Sequence, residues 1–238
     1  MSAADLQDSL RTLLRTIASG DRAAARRLLA ASPSLAGLAV RGGATRHDAR
    51  PHFLQSIGHY VYAGDTPLHV AAAAYQRSIA EELVSRGASV NARNRRGAQP
   101  LHYAADGGPG SLSWNPDAQS AVVEFLVGAG ADPNSADKSG VTPLHRAVRT
   151  RCTAAVRALL SNGADVRRPN KNGSTPLHLA VQNTGRGGSG SAASRQEQTA
   201  IIGLLLRHGA RPSDRDSSGK SVEDCVRAGW IHALLKKG

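Results

Sequence analysis

Aromatic residues make up only 3% of this 238-residue chain, and its apolar side chains are mainly Ala, Leu and Val. Side chains this small suit thin helix-to-helix layers and leave a β-sandwich or barrel without core filling. Cysteine is nearly absent: Cys152 and Cys225 stand far apart, which predicts free thiols in a reducing compartment, not a disulfide framework. Long apolar runs are missing. Stretches such as Val70 to Ala74 and Ile201 to Leu206 fall well below the ~20 residues of a membrane-crossing helix. The first twenty residues carry Asp5 and Asp8 and lack the apolar block of a signal peptide, so a soluble, cytoplasmic protein is expected. No paired-carboxylate or nucleotide-binding signature is present, and Cys152 and His145 share no nucleophile pattern. The expectation is a non-enzyme without cofactor, small-molecule substrate or metal.

What the chain does have is positive charge, with a formal net of +12. The excess is uneven: residues 64–139 hold 6 basic and 8 acidic side chains, whereas residues 140–218 hold 12 and 4. Arg outnumbers Lys 25 to 5. Two readings stay open, a nucleotide-composition bias that favours Arg and a basic surface matched to an acidic partner.

It also has repetition. Pro-Leu-His recurs in Thr66 to His69, Gln99 to His102, Thr142 to His145 and Thr175 to His178, each tetrad beginning two residues after a glycine. Those glycines, Gly64, Gly97, Gly140 and Gly173, are followed in register by Gly219, and the shorter step between them is 33 residues. Local chemistry places each element. The turns opening at Asn94, Asp137, Asn170 and Asp216 have Asx first and Gly fourth, as a type I turn prefers. Pro in the first helical turn costs no hydrogen bond, and Thr can cap it. Second helices are expected to end at Gly87, Gly130, Gly163 and Gly209. Their stripes are Ile79 with Leu83, Val122 with Leu126, Val156 with Leu159, and Ile202 with Leu205. Ser78, Ser120, Thr153 and Thr199 are the expected caps of those helices.

A period of 33 residues carrying Thr-Pro-Leu-His resembles the ankyrin repeat family over residues 64–238. The resemblance implies an all-α solenoid of helix-turn-helix repeats joined by short β-hairpin turns. The expected repeats are 64–96, 97–139, 140–172 and 173–218, with a C-terminal capping repeat at 219–238. Residues 1–63 read as N-terminal capping helices, over Leu6 to Ile17 and from Asp21 to Leu29, followed by an irregular connector at 41–62. All are expected to form one continuous domain. Two departures weaken the pattern locally: Gln99 replaces Thr, and the first repeat is entered through Val61-Tyr62-Ala63-Gly64 in place of an Asx turn.

Extra residues fall only between the two helices of the second and fourth repeats, predicting loops at about 106–119 and 183–198. Trp114 in the first is a candidate interface anchor; the alternative is that it folds back on its own helix pair. Thr184 to Ser191 is Gly/Ser-rich and could cradle an anion, but it lacks the phosphate-loop pattern and reads as a flexible loop. The repeat histidines His69, His102, His145 and His178 are implied by the resemblance to be structural, and His47, His52 and His59 show no metal-ligand spacing.

Ankyrin-like proteins recognise partners with hairpin tips and the exposed face of the first helices. On this chain the matching positions include Arg93, Arg95, Arg96, Asp106, Lys138, Arg149, Lys171, Asn172, Gln182 and Lys220, to which Trp114 is added. The resemblance thus implies a protein-interaction module; because the matching ridge is mostly cationic, the partner is expected to present an acidic patch, and the protein is expected to be monomeric. The alternative is nucleic-acid binding by the basic third and fourth repeats, against which stands the lack of an aromatic stacking platform.

Overall fold

Leu10, Leu13, Leu14 and Ile17 recur at helical spacing and all are buried, so the first element is the amphipathic helix α1 (Ala3–Ser19). Asp21 accepts from the Ala24 amide at 2.9 Å and starts α2 (Arg22–Ala31). The computed structural model describes residues 2–108, 114–182 and 191–236. After α2 a hairpin of two-residue strands pairs β1 (Phe53–Leu54) with β2 (His59–Tyr60), Phe53 opposite Tyr60. Helix pairs then alternate: α3 (Pro67–Ala73) with α4 (Arg77–Ser85), α5 (Pro100–Ala104) with α6 (Pro116–Gly128), α7 (Pro143–Arg149) with α8 (Thr153–Ser161), and α9 (Pro176–Ala180) with α10 (Ala192–Arg207). The last helix is α11 (Gly229–Leu235).

The chain packs as two compact units, Met1–Ala104 with Ser111–Asp132, and Ala105–Gly110 with Pro133–Gly238. In the first, α1 lies against α3, α3 against α5, and α4 against α6; in the second, α7 packs on α9 and α8 on α10. The expected stripes supply these contacts. Ile79, Leu83, Val122, Leu126, Val156, Leu159, Ile202 and Leu205 are all fully buried.

Each tip is held by its Asx residue. Asp137 Oδ1 accepts from the amides of Ser139 (2.8 Å) and Val141 (3.1 Å), and Asn170 Oδ1 accepts from Asn172 (2.9 Å) and Ser174 (3.1 Å). Neighbouring tips are then laddered, Lys171 N–H to Ser139 O at 3.1 Å and Ser217 N–H to Asn172 O at 3.0 Å. A Cβ on Gly173 would come 2.3 Å from the Ser217 nitrogen. Glycine there is a requirement of close approach as much as of its positive φ of 74°.

The motif histidines join successive repeats. His145 Nδ1 accepts from the Thr142 amide (3.3 Å) and contacts its hydroxyl (2.8 Å), while Nε2 reaches Ser174 O at 3.0 Å. His69 does the same to Thr66 and Ala98 O, and His178 to Thr175 and Lys220 O. A carbonyl can only accept, so Nε2 carries the proton and Nδ1 is the acceptor. At Gln99 the hydroxyl is missing, and His102 Nδ1 accepts from the Gln99 amide at 3.2 Å.

The caps of the second helices differ from expectation. They are Gln76, Asn115, Cys152 and Ser191, and Ser78, Ser120, Thr153 and Thr199 all lie inside their helices. Ser120 and Thr199 instead turn their hydroxyls back to Pro116 O and Arg195 O, the competing local bond open to such residues. The inserted segments are correspondingly shorter as loops, because α6 begins at Pro116 and α10 at Ala192. Of the Gly/Ser-rich stretch, residues 184–190 lie outside the described residues.

Candidate partner-binding surface

The residues expected to meet a partner fall into two sets, one in each unit. Lys138 and Lys171 occupy equivalent second positions of laddered tips in the second unit, and both are exposed, as are Asn172, Lys220, Arg149 and Gln182. The ammonium groups of Lys138, Lys171 and Lys220 meet no hydrogen-bond or ion-pair acceptor among the described residues. Asp106, by contrast, is occupied within the chain. Its carboxylate takes Arg146 at 3.1 Å and Arg149 at 3.8 Å, and Arg146 reaches Asp137 at 3.3 Å.

In the first unit the arginines at the tip are engaged internally while remaining exposed. Arg95 donates to Ala44 O, and its guanidinium stands 5.5 Å from the Tyr62 ring centre. Arg96 lies 5.0 Å from the same ring and donates to the Tyr62 hydroxyl at 3.1 Å. Arg93 donates to Gly97 O at 2.9 Å. These contacts fix the connector to the second repeat's tip. Trp114 is half-buried, and its indole N–H donates to Gln119 Oε1 at 2.8 Å, which aims the ring back at its own helix pair.

Two features escaped the sequence reading. Arg146 follows Pro-Leu-His where the other repeats have Val70, Tyr103 and Leu179. It is 7% exposed and held between Asp106 and Asp137. A lone cation at an otherwise uncharged register position was the available signal. In the first unit, Tyr103 fills that position and donates to Asp65, which is fully buried, at 2.9 Å, beside Asn94 at 2.8 Å and His59 at a ring distance of 4.4 Å. Asp65 also accepts the Tyr62 amide at 2.7 Å, so it supplies from behind the acceptor that an Asx turn would have supplied in front.

Both ring nitrogens of His145 are used structurally, and burial, ahead of the opposing hydrogen bond to Ser174 and the charge of Asp137, pushes its pKa below 6.5. Cys152 is fully buried and caps α8, its sulfur accepting from the Ala155 amide at 3.4 Å. Burial, with Asp216 adding to it, raises the Cys225 thiol above its ordinary value, away from the nucleophilic thiolate. His52 sits 3.7 Å from Asp48, while His59 packs on Tyr103. Among the described residues no three His, Cys, Asp or Glu side chains converge to hold a metal, and no helix is long and apolar enough to cross a membrane.

A family model described as ankyrin repeats (three copies) matches residues 112–216, and a single ankyrin-repeat model matches residues 63–95. NF-kappa-B inhibitor delta of Mus musculus is 53% identical over 53 residues, a stretch that is 22% of this chain and 16% of that protein.

Proposed function

Because this chain belongs to the ankyrin repeat family, we propose that it is a non-enzymatic protein-interaction module whose hairpin tips in the second unit recognise an acidic surface on a protein partner. The observation that carries this reading is the row of Lys138, Lys171 and Lys220. They sit on tips whose spacing is fixed by backbone hydrogen bonds, exposed, and their ammonium groups meet no hydrogen-bond or ion-pair acceptor among the described residues. Charges held on a rigid base give orientation and fast encounter more than raw affinity. The name of the relative, an inhibitor of NF-kappa-B, agrees with a function exerted on another molecule. Cytoplasmic, monomeric action fits the free cysteines. Arg95 and Arg96 are secondary to this surface, since Tyr62 and Ala44 already hold them.

Nucleic-acid binding through the same lysines is the second reading, favoured only by the net charge of +12. The test pairs affinity capture from the cells of origin with titration of DNA and RNA. Acidic proteins held by the wild-type chain and lost from the Lys138→Glu, Lys171→Glu, Lys220→Glu variant are the expected result. Tight DNA or RNA binding with a log-affinity slope of several against log salt would transfer the function to nucleic acid.

A further inference from the structure

A cleft of about 370 Å³ opens between α1 and the connector, within the size range of ligand-binding pockets. Its floor is apolar, made by Leu14, Val40, Leu54 and Val61, all buried. Its rim is cationic. Arg11 and Arg15, one helical turn apart on α1, are exposed, and neither guanidinium has an acceptor among the described residues. No Asp or Glu lines the cleft. On the connector side stands Phe53, 40% exposed, its ring tilted at 46° to that of Tyr60 with 4.7 Å between centres, an apolar surface left open at the lip.

The walls are pinned rather than loose. Gln7 donates to Ala39 O at 3.2 Å and accepts from the Arg41 amide at 3.1 Å, tying α1 to the start of the connector. The Ala44 amide bonds Val61 O at 2.7 Å, and the Val61 amide bonds His52 O at 2.8 Å. Gly43 allows this closure, since a Cβ there would lie 2.5 Å from the Ala63 nitrogen. A preformed cleft of this kind spares an occupant the cost of ordering it.

We infer that this cleft is a second docking site, separate from the hairpin tips, and that it takes an extended peptide of a partner protein bearing a carboxylate beside an aliphatic or aromatic side chain. The carboxylate is matched by Arg11 and Arg15, whose forks suit it. The neighbouring apolar side chain descends to the floor and packs against Phe53.

The test uses the full chain and short fluorescein-labelled peptides in which Asp or Glu alternates with Leu, Ile or Phe, read by anisotropy at physiological salt. Members of the set are expected to bind with Kd below about 100 μM, and the Arg11→Glu, Arg15→Glu variant to weaken them about tenfold or more. Peptides with Lys for the acidic residues, or Ala for the apolar ones, are expected not to bind. Arg11→Gln, Arg15→Gln repeats the measurement without charge reversal, and Phe53→Ala tests the lip. The variant with Glu at 138, 171 and 220 should bind these peptides like wild type, which keeps this outcome independent of the tip surface. Absence of binding by every peptide, affinity unchanged by both arginine pairs, or loss in the 138/171/220 variant would each overturn the inference.

Discussion

His145 shows how one side chain can hold two repeats and set a pH limit. Its Nδ1 accepts within the first helix of its own repeat and its Nε2 donates to the next tip, so both bonds need the neutral ring. Burial holds its pKa in the fold below the 6.5 of the exposed ring. The unfolded chain therefore binds the proton more readily, and stability present above pH 6.5 is lost as pH falls from there toward the depressed folded value. Thermal unfolding between pH 7.5 and 5 should show a falling Tm. A flat profile would mean that His145 protonates without loss of its contacts. Leu159 gives a second prediction: fully buried in α8, it should cost about 2–5 kcal/mol when replaced by Ala, read from denaturant unfolding. Arg146 gives a third. Arg146→Met leaves Asp106 and Asp137 without their shared cation and should cost about 3 kcal/mol, whereas Lys138→Glu should leave the denaturation midpoint nearly unchanged.

Secondary elements were legible where backbone chemistry repeats and obscure where it does not. Asx-x-x-Gly, Thr-Pro-Leu-His and the terminal glycines name their positions because a turn, a cap and a left-handed residue each demand particular side chains. The caps of the second helices were misplaced because Ser and Thr serve equally well inside a helix, turned back on a carbonyl, as they do at its start. The connector was unreadable: its two-residue strands carry too little alternation to show a period. For the surface, the exposed tip lysines could be placed from the repeat alone. The internal use of Arg95 and Arg96 could not, because it depends on where Tyr62 arrives from a segment without pattern. That packing makes a prediction for the connector. Tyr62→Ala removes the ring that both guanidinium groups face and the hydroxyl that Arg96 donates to, and it should increase proteolytic cleavage within 41–62 while leaving the tips of the second unit protected from hydrogen exchange.

At the scale of the whole molecule, the same position in four repeats solves the problem of joining two helices in two ways. Gln76, Gln119, Cys152 and Gln198 each stand the same distance before a helix-ending glycine. In the short repeats the backbone amide of that residue closes the corner, Gln76 to Ala71 O at 2.9 Å and Cys152 to Ala147 O at 3.0 Å. The corner is tight enough that Tyr75 and Arg151 adopt positive φ of 54° and 59°, an unfavourable region for both. In the inserted repeats the side-chain amide takes over, Gln119 to Ala104 O at 2.9 Å and Gln198 to Ala180 O at 2.7 Å. The glutamine acts as a rivet that closes the joint whatever length of chain leaves and re-enters it. Guest sequence is therefore tolerated at these two corners and nowhere else between paired helices: an epitope tag placed between Gly110 and Ser111 should leave Tm within a few degrees, since added loop length enters closure entropy only logarithmically. The same tag after Arg151, where no side chain stands ready to replace the lost backbone bond, should unfold the second unit.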